Sequence, residues 1–109
     1  MNRNQIAKFV GPEWVDLMAP FMESEEMDNI LKALKEAKDA GDIIYPEQKN
    51  IFRAFTETPL SKLRLVIMGM DPYPTEGLAN GLAFAHLNNM TKPASMKQII
   101  QAVEKDAYS

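Results

Sequence analysis

From Leu63 to Met68 the chain runs Leu-Arg-Leu-Val-Ile-Met, an apolar stretch rich in branched residues that stops at Gly69. A continuous run of this kind is the pattern of a strand buried on both faces, so it predicts the central strand of a parallel sheet. The next eight residues, Met70-Asp71-Pro72-Tyr73-Pro74-Thr75-Glu76-Gly77, carry two acids, two prolines and an aromatic. Pro72 and Pro74 stiffen such a segment, which predicts a rigid loop at the carboxyl end of the strand. In open α/β sheets those strand ends collect ligands and catalytic groups, because the sheet holds the base of the loop while the loop displays side chains. Asp71 is the acid on display.

The flanking segments read mostly as helices. Residues 11 to 22 contain Pro12 near a first turn and place Trp14, Leu17, Met18 and Phe21 on one face, with Pro20 ending or kinking the helix. Ser24 caps a second helix whose first turn holds Glu25 and Glu26, whose apolar stripe is Met27, Ile30, Leu31, Leu34 and Ala37, and which stops at Gly41. Ile43-Ile44-Tyr45-Pro46 is a short extended piece; a helix follows from about Pro46, turns Ile51, Phe52 and Phe55 inward, and closes at Thr58-Pro59. Beyond the loop, Gly81-Leu82-Ala83-Phe84 predicts a second short strand, with Leu82 and Phe84 on the same face. A polar connection over 88 to 94 leads to a final helix capped by Ser95 and carrying Met96, Ile99, Ile100 and Val103. No repeat or linker divides the chain, so residues 1 to 109 are expected to form one domain.

Composition removes several classes of function. A hydrophobic share of 46% with 25% charged residues is ordinary for a globular protein and excludes a disordered or fibrous chain. There is no cysteine, hence no disulfide and no thiolate metal site. No apolar run approaches the roughly 20 residues of a membrane span, and the opening Met-Asn-Arg-Asn-Gln leads into no signal-peptide core, so a cytoplasmic protein without membrane contact is expected. Net charge is −3, which argues against a protein that simply coats nucleic acid. The charge is unevenly spread: residues 1 to 47 carry 5 basic and 10 acidic side chains, and residues 48 to 109 carry 7 basic and 5 acidic ones. An anionic partner should therefore meet the second part of the chain.

Candidate chemistry gathers around the loop. Asp71 before Pro72 is a common turn starter, and it is also a carboxylate that could orient a water or stabilise a developing cation. Phe84 reads either as core or as a platform that stacks a flat ligand. Lys92-Pro93-Ala94-Ser95 at a helix start is a plain cap or a phosphate grip through the Ser95 hydroxyl and backbone N–H groups. His86 is the single histidine, no metal-ligand spacing is present, and Gly69, Gly77 and Gly81 match neither phosphate-loop pattern, so neither a metal nor a cofactor is expected.

Taken together these pieces resemble the family 1 uracil-DNA glycosylases. The matching string is Gly69-Met70-Asp71-Pro72-Tyr73, then Gly77, Ala79 and Gly81-Leu82-Ala83-Phe84. Ile44-Tyr45-Pro46, Ile51-Phe52-Arg53-Ala54-Phe55, Thr58-Pro59, Val66-Ile67-Met68 and Ser95 also look like segments of that family, so the likeness runs from about Trp14 to the end. The resemblance implies a three-layer α/β/α fold with a short central parallel sheet and hydrolysis of the N-glycosidic bond of uracil in DNA, a step of base excision repair. It implies roles as well. Asp71 would activate the attacking water, Tyr73 would exclude thymine's methyl, Phe84 would stack on the flipped-out base and the backbone of Met70 would face a uracil carbonyl. Ser95, with Lys92, would hold a DNA phosphate.

Departures from the family pattern shape the expectation. Met70 stands where most members have glutamine, Pro74 where most have histidine and Ala85 where cellular members have serine; an aliphatic residue before Asp-Pro-Tyr-Pro is closest in style to the poxvirus branch. Full members run to roughly twice this length, and their second half supplies a uracil-binding asparagine and a His-Pro-Ser loop with no counterpart here. The chain therefore resembles the first half of the fold. Two functions follow: a glycosylase that needs a complementary chain or segment and is weak or inactive alone, or an inactive interaction module of viral or phage type, acting in a host cytoplasm or nucleus. The second would dimerise or bind a protein or DNA partner through an open sheet edge.

Overall fold

A computed structural model describes residues 1–85 and 94–108. Five helices make up its framework: α1 (Arg3–Val10), α2 (Val15–Met22), α3 (Glu25–Asp39), α4 (Arg53–Glu57) and α5 (Ala94–Tyr108), with single 3₁₀ turns at Pro12–Trp14, Gln48–Asn50 and Leu60–Lys62. No helix among the described residues is long and apolar enough to cross a membrane.

The sequence reading places no helix before residue 11; α1 nevertheless forms and supplies two of the most buried side chains among the described residues, Ile6 and Val10. Its start is a capping box: the Asn2 side chain accepts from Gln5 N–H at 2.9 Å while Asn2 N–H donates to Gln5 Oε1, also at 2.9 Å. Gly11, at φ +87°, ends it in a backbone region that side chains avoid. The chain then turns through Pro12–Trp14 into α2. Pro20 lies inside α2, which continues only to Met22. Ser24 caps α3 as its position predicts, accepting from Met27 N–H at 3.2 Å, with Glu25, Glu26 and Asp28 in the favourable first turn.

The core is built almost entirely from the first 27 residues: Ile6, Val10, Trp14, Ala19, Met22 and Met27. Trp14 joins it to the middle of the chain. Its ring meets Phe55 edge-on at 5.0 Å, and its indole N–H donates to the Thr58 carbonyl at 2.9 Å. Phe52 stands between Phe55 and Phe9, at 6.4 and 5.4 Å. Of the expected α3 stripe only Met27 is buried; Ile30 and Leu31 are exposed. Helix α3 docks by its first turn and then runs past the core.

The expected α/β architecture is overturned. Among the described residues there is no strand and no sheet, and all regular structure is helical. Residues 64 to 69 have no regular structure, and Leu65, Val66, Ile67, Met68 and Met70 are exposed rather than buried. The physical reason is that strand identity is a property of a ladder, requiring a second chain segment to take the N–H and C=O groups. Among the described residues, no backbone hydrogen bond joins 64–74 to another segment. The second predicted strand is absent too. Residues 81–84 turn back on themselves, closed by Ala85 N–H to Leu82 O at 3.2 Å, so Leu82 and Phe84 do not share a strand face. The dimensions agree: the radius of gyration is 16.0 Å, against about 13 Å for a compact domain of this length.

Candidate functional site

A cleft of about 300 Å³ opens between the loop that begins at Gly69 and the turn at 79–84, floored by Pro46 and Ile51. That volume is at the small end of ligand sites and suits a single flat ring. Met70, Asp71, Tyr73 and Phe84 all line it, so the four residues singled out for chemistry and base binding share one cavity although 14 positions of sequence separate the first from the last.

Each wall has its own origin. The Gly69 end of the loop lies against Phe84, since a Cβ built on Gly69 would be 3.9 Å from Phe84 Cζ. Asp71 is exposed at the mouth and makes no salt bridge among the described residues, which leaves its carboxylate free to accept from a water or a ligand. Tyr73 is half-buried. Its hydroxyl donates to the Phe84 carbonyl at 2.7 Å and lies 3.3 Å from the Ser95 hydroxyl, tying loop, turn and α5 at one point. Phe84 has φ +63°, a left-handed conformation that a bulky residue adopts only when its surroundings impose it, at a cost of order 1–3 kcal/mol. Strain of this kind collects at binding sites.

Ser95 does not cap α5. It occupies the second position of the helix, and its hydroxyl faces Tyr73. Lys92 and His86 lie outside the described residues.

Three residues shape the site in ways that the sequence reading does not assign to them. Asn80, 5% exposed, is the buried polar side chain of the described structure; its Oδ1 accepts from Leu82 N–H at 3.0 Å and closes the turn. Asn followed by Gly81 is the local signal that could have found it, because Asn side chains bond the backbone two residues on. Gly81, at φ +89°, presses on the Gln48–Asn50 turn so closely that a Cβ would sit 2.0 Å from the Asn50 carbonyl oxygen. Arg53, on α4, donates from Nη1 to the Asn80 carbonyl at 3.1 Å, a contact across 27 residues that no local pattern announces.

No family model matches the chain. Curated relatives do. It is 38% identical over 93 residues to a protein named uracil-DNA glycosylase from Acinetobacter baylyi, an alignment covering 85% of this chain and 39% of that protein. A protein of the same name from Mannheimia succiniciproducens is 36% identical over 93 residues, covering 85% and 42%. Another from Aliivibrio salmonicida is 31% identical over 97 residues, covering 89% and 43%. Similarity of this extent supports a uracil-DNA glycosylase-like chain. It spans about two-fifths of the length of these relatives. All three are bacterial, so the viral likeness suggested by Met70 and Pro74 gains no support from them.

Proposed function

We propose that this chain supplies one wall of a uracil-excision site, acting on uracil-containing DNA by hydrolysis of the N-glycosidic bond. The observation that carries the reading is the convergence of Met70, Asp71, Tyr73 and Phe84 on one small cleft in a chain similar over most of its length to named uracil-DNA glycosylases. A base inside a duplex must leave the stack before it can enter a cleft of this size, and an aromatic face then receives it. Phe84 takes that part, and Tyr73 closes the side of the ring.

In the reaction the bond from the sugar carbon C1′ to N1 of uracil breaks with its electron pair going to the base, leaving a cationic sugar. The exposed Asp71 carboxylate stabilises that cation and orients a water whose oxygen bonds to C1′. The water's proton passes to the carboxylate and then to the departing uracil anion, so that uracil and an abasic sugar are the products. Ser95 with Lys92 is proposed to hold a DNA phosphate; the approach of Ser95 to Tyr73 couples that contact to the loop.

The exposed run from Leu65 to Met70 shapes the rest of the proposal. Five large apolar side chains facing water within six residues is unusual for a finished surface. Polypeptide equivalent to the remaining part of the longer relatives, in the same or a separate chain, is proposed to cover it, and excision by the 109-residue chain alone is expected to be weak. The same observation favours a second reading, an inactive module that dimerises or captures a protein or DNA partner through these residues.

The deciding assay uses a single-stranded oligonucleotide with one uracil, alkaline cleavage and a sequencing gel, with and without a polypeptide matching the uncovered part of the Acinetobacter baylyi relative. Strand cleavage is expected in the complemented mixture, and Asp71→Asn should lower the rate by roughly 10²-fold or more. No cleavage in any mixture sinks the glycosylase reading. Light scattering on the chain tests the dimerising form of the second: a dimer that persists in Asp71→Asn supports it, and a dispersed monomer removes it.

A further inference from the structure

The turn that presents Phe84 is not part of a helix or a strand, so something other than a backbone ladder must fix it. At its far end the Tyr73 hydroxyl holds the Phe84 carbonyl at 2.7 Å. At its near end the Arg53 guanidinium donates from Nη1 to the Asn80 carbonyl at 3.1 Å. The same guanidinium donates from Nε to Glu57 Oε1 at 3.2 Å, one turn along α4, which fixes the plane of the fork. Between the two ends Asn80 closes its own turn onto Leu82 N–H, and Gly81 lies flush against Asn50, with a built Cβ only 2.9 Å from the Arg53 Cβ. An i,i+4 ion pair with Glu57 would explain the Nε contact alone. It does not explain the bond to Asn80.

We propose that Arg53 is a positioning residue for the candidate site: its guanidinium clamps the Asn80 carbonyl and thereby sets the turn that holds Phe84 ready to receive a flat base. The clamp stands on the geometry, and its consequence for uracil rests on the glycosylase reading above. A charged donor to a half-buried carbonyl is among the stronger hydrogen bonds, and the strained Phe84 backbone needs such a restraint. Lysine could reach the carbonyl but cannot hold Glu57 and Asn80 at once in a fixed fork.

The test compares Arg53→Met, Arg53→Lys and Glu57→Gln in the full chain. Amide hydrogen exchange followed by NMR reads the clamp directly, at the Leu82 and Ala85 N–H groups, with amides of α3 as the reference for intact folding. Arg53→Met should speed exchange at Leu82 and Ala85 by about tenfold and move the Phe84 ring resonances. Arg53→Lys should fall between it and wild type, and is the variant that decides if Arg53→Met loses protection in α3. Glu57→Gln keeps the Oε1 acceptor that Arg53 Nε uses and removes only the charge, so it should stay within about twofold of wild type. Exchange at Leu82 unchanged in both arginine variants overturns the clamp.

The functional arm measures single-turnover uracil excision in the complemented mixture and, separately, affinity for the same oligonucleotide without uracil. Arg53→Met is expected to slow excision about tenfold and leave the uracil-free affinity unchanged, as a residue acting through Phe84 should. An equal loss of uracil-free affinity would make Arg53 a phosphate contact and overturn the proposal. If wild type excises nothing while Leu82 exchange still accelerates, the clamp is upheld and the glycosylase reading is what fails.

Discussion

Residues 1–63 and residues 64–85 are held by different forces. In the first region helices α1 to α3 close on a single apolar cluster, and Trp14 stitches the Phe52–Phe55 segment onto it through an aromatic contact and one hydrogen bond. In the second, most large apolar side chains face water, and position is set by a few directional bonds: Arg53 to Asn80, Asn80 to Leu82, Tyr73 to Phe84. Burial makes the first region cooperative, because every side chain there loses its contacts together. Hydrogen bonds make the second specific at low cost in stability, so its parts can open one at a time. A binding cleft belongs to a region of the second kind, where a ligand can shift the loop without unfolding the domain.

The contrast can be broken most forcefully at Trp14, which is 8% exposed. Trp14→Ala should cost about 3–5 kcal/mol and bring down the whole chain in urea, the cleft included. Loss of the cleft's signals alone, with α1 to α3 intact, would mean that the two regions are coupled the other way. Tyr73→Phe removes only the hydroxyl bonded to Phe84 and close to Ser95. Its global stability should change by about 0.5–1.5 kcal/mol, while hydrogen exchange rises at Ala85 before any change in α1. The smallest effect belongs to Met68, 86% exposed. Met68→Ser should leave unfolding within about 0.5 kcal/mol of wild type, and by light scattering should reduce any self-association of the chain.

Much of the local chemistry was legible residue by residue. Ser24 is the cap its position predicts, and Asp71, Pro72, Tyr73 and Phe84 line one cleft. These features follow from bonds made within a few residues, or from a loop whose prolines leave it few conformations. The strand reading of Leu63 to Met68 went wrong for the complementary reason. Branched apolar residues state a preference for extended backbone and for burial, and neither is realised until another segment supplies a ladder and a cover. Helix α1 escaped notice although its Asn2 to Gln5 capping box and the Ile6, Val10 spacing were both present to be read.

By itself, then, the amino-acid sequence determined where helix α3 begins, that residues 70–77 form an acidic loop, and which side chains are candidates for uracil chemistry; the start of α2 it placed a turn too early, at Pro12 rather than Val15. Only the tertiary structure decided that Ile6 and Val10 rather than Val66 and Ile67 are buried, that Ser95 faces Tyr73 instead of capping a helix, and that Arg53 reaches across 27 residues to Asn80. Capping and turn preferences are energies of neighbours along the chain. Burial and long-range hydrogen bonds are energies of partners, and a partner exists only once the fold has brought it there.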